Sequence, residues 1–142
     1  MTEDQYAYSA DIDVYTRDID TGNHVNNAAF VEYLEQARLE YLDELVEYSE
    51  NKTYIVVATL EMEFKRPVTW QDTVTVDLRI LDLDTSSFRI EYRLRVDDTV
   101  VAIAETVMIT YDREAAESIP IPSTWRDRIE ADNDQFIEES NS

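Results

Sequence analysis

The chain has 142 residues and a formal net charge of −20, from 32 acidic and 12 basic side chains. An apolar fraction of 44% with 11% aromatics excludes general disorder, and the length suits one domain with a working core. So acidic a surface repels nucleic acid and anionic membranes, and neither is an expected partner. Cysteine is absent, which removes disulfides, thiol nucleophiles and thiolate metal sites. No apolar run approaches the ~18 residues of a membrane span. The opening MTEDQYAYSADIDV has neither the basic nor the apolar part of a secretory signal, so a cytoplasmic location is expected. The acid excess further predicts a halophilic protein, in a cytoplasm whose salt screens self-repulsion at short range.

In chain order, Ser9 to Tyr15 alternates, with Ala10, Ile12 and Val14 on one face and Asp11 and Asp13 on the other. That is the period of a half-buried strand. Thr16 to Asn27 is rich in turn residues. Phe30, Leu34, Ala37, Tyr41 and Leu45 then form an apolar stripe at helical period, predicting a helix over about Ala28 to Tyr48. Such a helix would run about 30 Å at ~1.5 Å per residue. Asn26, or Asn27 beside it, can cap its amino end. Val25 and Phe30 are spaced for a hydrophobic staple.

Tyr54 to Phe64 reads as a strand ended by Pro67. Thr73 to Ile80 and Phe88 to Val96 alternate cleanly, and Asp97-Asp98 marks a tight hairpin. Thr99 to Tyr111 is apolar on both faces, as a central strand covered on two sides would be. Trp125 to Glu139 reads as a short acidic helix that frays at its end. One long helix among five strands needs a sheet curled around its stripe. The fold class is therefore α+β, in one domain over 1–142 with its core at about 9–112 and an acidic tail at 113–142.

Chemistry concentrates in Asp18 to Arg38, DIDTGNHVNNAAFVEYLEQAR, which holds the chain's one glycine (Gly22) and one histidine (His24). A helix start leaves backbone N–H groups unpaired and favours negative charge. Asp20, seven residues before Asn27, can face a carbonyl there as nucleophile or base. Asp18 and Asp20 read equally as turn caps. His24 can titrate usefully or serve as a surface turn residue. No serine stands in a nucleophile-elbow context, and one histidine without cysteine makes a poor zinc site. Glu35 and Arg38, at i and i+3, read as a helix-surface ion pair. Lys65-Arg66-Pro67 reads as a solvated strand end or as a contact for a phosphate-bearing ligand.

The stretch from Asp18 resembles the signature of hot-dog-fold acyl-CoA thioesterases, and more narrowly the 4-hydroxybenzoyl-CoA thioesterase-like group. It is also similar to the D-x-N-x-H-V-N-N element of plant acyl-carrier-protein thioesterases. E-F-K-R-P at Glu63 to Pro67, with Asp72 opening the next strand, adds to the likeness, which spans about Ala10 to Tyr111. The resemblance implies a hot-dog fold, with an antiparallel five-stranded sheet wrapped around one long helix and a short C-terminal helix added. It implies Asp20 as the catalytic carboxylate, the N–H of Asn27 at the oxyanion, and His24 in the place of the plant histidine. Gly22 stands where the plant enzymes carry a catalytic Asn, and Asn23 where many relatives have Gly. Asn tolerates a left-handed backbone, so the turn is expected to hold.

Hydrolysis of acyl-CoA to the free acid and CoA is thus the expected reaction, with no metal or redox cofactor. Val25, Phe30 and Leu60 are the expected acyl contacts, and Lys65 and Arg66 the expected nucleotide contacts. An acidic carrier protein would be repelled, which favours CoA as the carrier. The resemblance also implies a homodimer or dimer of dimers with its pocket at the subunit interface. Two other readings fit the same fold: an enoyl-thioester hydratase and a non-catalytic acyl-CoA-binding module.

Overall fold

In the computed structural model, which describes residues 5–141, strand β1 (Tyr8–Asp13) leads through a 3-10 turn (Thr16–Asp18) into helix α1 (Asn27–Val46). Strands β2 (Thr53–Phe64), β3 (Thr73–Leu81), β4 (Ser87–Val96) and β5 (Thr99–Asp112) follow. A two-residue strand, β6 (Glu117–Ser118), and helix α2 (Ser123–Asn141) complete the order. The strands form one antiparallel sheet in the order β1-β3-β4-β5-β2, with β6 added beside β5.

The helix starts where its cap dictates. Asn26 is extended (φ −74°, ψ 158°), and its Oδ1 accepts the Ala29 N–H at 2.8 Å. The structure therefore chooses Asn26 over Asn27 as the cap. At the other end, Glu47 turns left-handed (φ 53°), which stops α1 two residues short of the expected Tyr48. Phe30, Leu34, Ala37 and Tyr41 are buried as their period predicts, while Leu45 is half-buried. Each large apolar side chain withdrawn in this way contributes roughly 1.5–3 kcal/mol.

Cross-strand register explains how the sheet receives that stripe. Leu78, Tyr92, Ala104 and Met62 lie in one row across β3, β4, β5 and β2. Ile80, Ile90, Thr106 and Leu60 make the next row. Most of these side chains are buried, and they share the core with α1. The opposite face carries Arg79, Glu91, Glu105 and Glu61 in a matching row. On that face Asp77 is 2% exposed and takes hydrogen bonds from Ser9, Arg93 and Arg95.

Three expectations change. Thr99 to Tyr111 is central by pairing, between β4 and β2, but one of its faces is open: Ile103 is 39% exposed. Arg38 is buried, donating to the Tyr92 hydroxyl at 3.1 Å, and Glu35 is exposed. The helix-surface ion pair is not formed, because the guanidinium finds a hydroxyl in the core instead. The segment read as a tail also enters the core, with Ile121, Trp125 and Ile129 buried. The Asp97-Asp98 hairpin forms as read, with Val96 opposite Thr99 and Asp97 at φ 52°.

β2 ends the strand order, so one of its two edges has no partner strand among the described residues. Val56, Val57, Leu60 and Phe64 along it are each about 40% exposed. No helix among the described residues is long and apolar enough to cross a membrane.

Candidate active site

Residues 18–27 fold back on themselves at the amino end of α1. Ile19 and Val25 form an antiparallel bridge. The Asp20 N–H donates to the His24 carbonyl at 2.9 Å, and the Asn23 N–H to the Asp20 carbonyl at 3.1 Å. Asn23 makes the reversal in a left-handed conformation, φ 64°. The turn holds with Asn there, as expected of a side chain that tolerates this region.

Gly22 has a different reason to be glycine. Its backbone is not left-handed. Its N–H donates to Asp20 Oδ1 at 2.9 Å, and a Cβ added to it would stand 3.3 Å from that same oxygen. The glycine lets the main chain close on the carboxylate. Asp20 is exposed, with Oδ1 fixed by this bond and no partner for Oδ2 among the described residues.

The helix end facing this turn is partly unpaired. Asn26 serves the Ala29 N–H. Asn27 is the first residue of α1, and the N–H groups of Asn27 and Ala28 meet no acceptor among the described residues. Such groups stabilise an oxygen that gains negative charge. One short hydrogen-bonded turn thus joins a carboxylate to a helix end with unpaired N–H groups.

The other expected residues distribute unevenly. The His24 imidazole is exposed and pairs with no group among the described residues; its carbonyl, not its ring, ties the turn. Val25 (5% exposed) and Phe30 (3%) are buried in the core. Leu60 lies on β2, exposed. Phe64, which sequence reading left out, packs its ring edge-on to Phe30 at 5.5 Å and is 43% exposed. The alternation of Leu60, Met62 and Phe64 already placed it on that face. Lys65 reaches Glu63 at 3.4 Å. Arg66 is exposed and has no carboxylate partner among the described residues. The loop that carries them is brought alongside by the Val25 N–H, which donates to the Val68 carbonyl at 2.8 Å.

Two clefts lie away from Asp20. One, of about 670 Å³, lies on the outer sheet face among Tyr6, Arg79, Glu91, Arg93, Ile103 and Glu105. The other, of about 240 Å³, lies at the carboxyl end of α1 beside Trp125. Asp20 to His24 are themselves exposed. Among the described residues, no three His, Asp or Glu side chains cluster as a metal site requires.

Residues 14–129 match the family model of the thioesterase-like superfamily. The chain is 26% identical over 117 residues to the long-chain acyl-CoA thioesterase FadM of Escherichia coli (strain K12), covering 79% of this chain and 89% of that protein. It is 30% identical to a thioesterase from Thermus thermophilus whose structure was solved with coenzyme A and zinc; the match has a TM-score of 0.82 and covers 91% of this chain and 96% of that one. A 1,4-dihydroxy-2-naphthoyl-CoA thioesterase from Synechocystis, at 19% identity and TM-score 0.75, shares the fold over 86% of this chain and 94% of its own. Fold and relatives together place the chain among hot-dog thioester hydrolases. The chain belongs to the thioesterase-like superfamily.

Proposed function

We propose that Asp20 and the amino end of α1 carry out the reaction of this acyl-CoA thioesterase, in which acyl-CoA and water give a free acid and CoA. The observation that carries this reading is the turn itself. Gly22 clamps one carboxylate oxygen of Asp20, while the N–H groups of Asn27 and Ala28 stand without acceptors among the described residues. In this reading the thioester carbonyl oxygen is directed at those N–H groups and the free Oδ2 of Asp20 acts on the carbonyl carbon. It either attacks that carbon or takes the proton of a water that does. Collapse of the tetrahedral intermediate breaks the C–S bond, and CoA leaves as the thiolate. On the water route this gives the free acid directly; on the attack route it leaves an acyl anhydride on Asp20, which a water then hydrolyses to the free acid and the restored carboxylate. His24 contributes through its carbonyl, which positions Asp20.

Solvent exposure of Asp20 supports a second part of the reading. An open carboxylate is hydrated, and an oxyanion site gains most when water is excluded. A second copy, paired along the vacant edge of β2, would cover this surface and form the acyl pocket. Leu60 and Phe64 are already exposed on the strand that would meet it. Phe30 stands behind Phe64, so these side chains support an acyl wall layered over the core.

The nucleotide fits the loop after β2. Arg66 is a cation without a carboxylate partner among the described residues, on a strongly acidic chain. Trp70, four residues on, is 54% exposed and offers a flat face to a base.

The deciding experiment is Asp20→Asn, assayed by free-thiol release from a panel of acyl-CoAs in high salt. Turnover should fall about 10²–10⁴-fold, the range of acid–base groups, with the fold unchanged by circular dichroism. A loss below about tenfold removes Asp20 from the chemistry.

A further inference from the structure

Asp18 is a buried charge that the reaction does not consume. It is 6% exposed. Its Oδ2 accepts the Tyr15 N–H at 3.0 Å and the Tyr33 hydroxyl at 2.8 Å. Tyr33 lies in the second turn of α1 and is itself buried, 4% exposed. No cation pairs with this carboxylate among the described residues. Withdrawing a carboxylate from water without a counter-ion is costly. The chain has 32 acidic residues, so solvation does not require this one.

The backbone of Asp18 makes a second connection to the same helix. Its carbonyl accepts both the N–H and the Nδ2 of Asn26, each at 2.9 Å. Asn26 is the cap of α1. Asp18 therefore grips α1 at two points, its flank through Tyr33 and its tip through Asn26. Asp20 is two residues further on, and the residue between them, Ile19, is bridged to Val25. On the N-terminal side of Asp20, the turn is therefore tied to α1 through Asp18 and the bridge beside it.

We propose that Asp18, acting through Tyr33, is a positioning residue: it sets the Asp20 carboxylate at its working distance from the N–H groups of Asn27 and Ala28. The inference rests on Asp20 being the reacting carboxylate. An error of about 1 Å between reacting groups can cost on the order of 10²-fold in rate, so a buried anchor here yields more than stability.

The test compares Tyr33→Phe, Asp18→Ala and Asp18→Asn with Asp20→Asn, using a short-chain acyl-CoA in high salt. Tyr41→Phe is the control. Its hydroxyl makes the same kind of bond, to Asp132, at the α2 side of α1, away from the turn. Tyr33→Phe and Asp18→Ala should lower kcat roughly 10- to 100-fold, with KM changed less than about threefold, the pattern of lost transition-state alignment. Asp18→Asn should recover most of the turnover, because an amide oxygen still accepts both donors. Tyr41→Phe should lower the melting temperature and leave kcat intact.

If Tyr33→Phe and Asp18→Ala turn over at the parent rate per folded molecule while Asp20→Asn is inactive, Asp18 is a structural residue and the proposal fails. If Asp20→Asn keeps its turnover, the catalytic reading fails first and takes the positioning role with it. Should Asp18→Ala not fold, Tyr33→Phe decides, since it removes one hydroxyl and leaves the carboxylate with its Tyr15 bond.

Discussion

At the scale of single residues, the site is governed by close approach. Gly22 allows its own N–H to reach Asp20 Oδ1, and a methyl group there meets that oxygen at 3.3 Å. Gly22→Ala should therefore turn the carboxylate aside without unfolding the chain. We expect turnover to drop by about tenfold or more, on the scale of misaligned groups, with the melting temperature nearly unchanged. Thiol release and thermal denaturation on the same sample check both halves. Asp77 gives the corresponding case away from the turn. Burial pushes its pKa up, but hydrogen bonds from Arg95, Ser9 and Arg93 outweigh this and hold it below the ordinary carboxylate range. A depressed folded-state pKa supplies stability that is fully present above the unfolded value, ~3.9, and is lost as pH falls through the folded value. Asp77→Asn should lower the melting temperature at pH 7. The gap to the parent should narrow below about pH 4, as the parent loses the same charge.

At the scale of elements, the amino end of α1 depends on one side chain. Asn26→Ala removes the acceptor for the Ala29 N–H and one of the two donors to the Asp18 carbonyl. A cap is worth about 1 kcal/mol, so urea midpoints should show at least that loss. Much of this architecture was legible in the sequence because period and capping are local. Phe30, Leu34, Ala37 and Tyr41 announced the helix face, and the alternation of Thr73 to Ile80 and Phe88 to Val96 announced the sheet. Asp20 and Asn27 stood out as candidates through their spacing and the likeness of their turn. What stayed hidden depended on partners far along the chain. Arg38 meets Tyr92 54 positions away, so no rule of helix spacing could turn it inward. Asp18 and Tyr33 are 15 positions apart, and as a turn residue Asp18 gave no sign of burial. The reason for Gly22 was equally hidden, since it lies in space and not in a backbone angle.

At the scale of the whole molecule, charge sets the conditions. A net charge of −20 on 142 residues implies strong self-repulsion unless counterions are dense. We expect a native circular dichroism spectrum in molar salt and its loss on dialysis to about 10 mM, where screening becomes long-ranged. An unchanged spectrum would show that packing suffices without screening. The uncovered margin of β2 adds a different dependence. If catalysis needs that margin occupied by a twin chain, mass action couples folding to assembly. Dilution then weakens the protein in two ways, by exposing Val56, Val57, Leu60 and Phe64 to water and by opening the Asp20 turn to bulk solvent. Specific activity becomes a property of how crowded the enzyme is with its own kind.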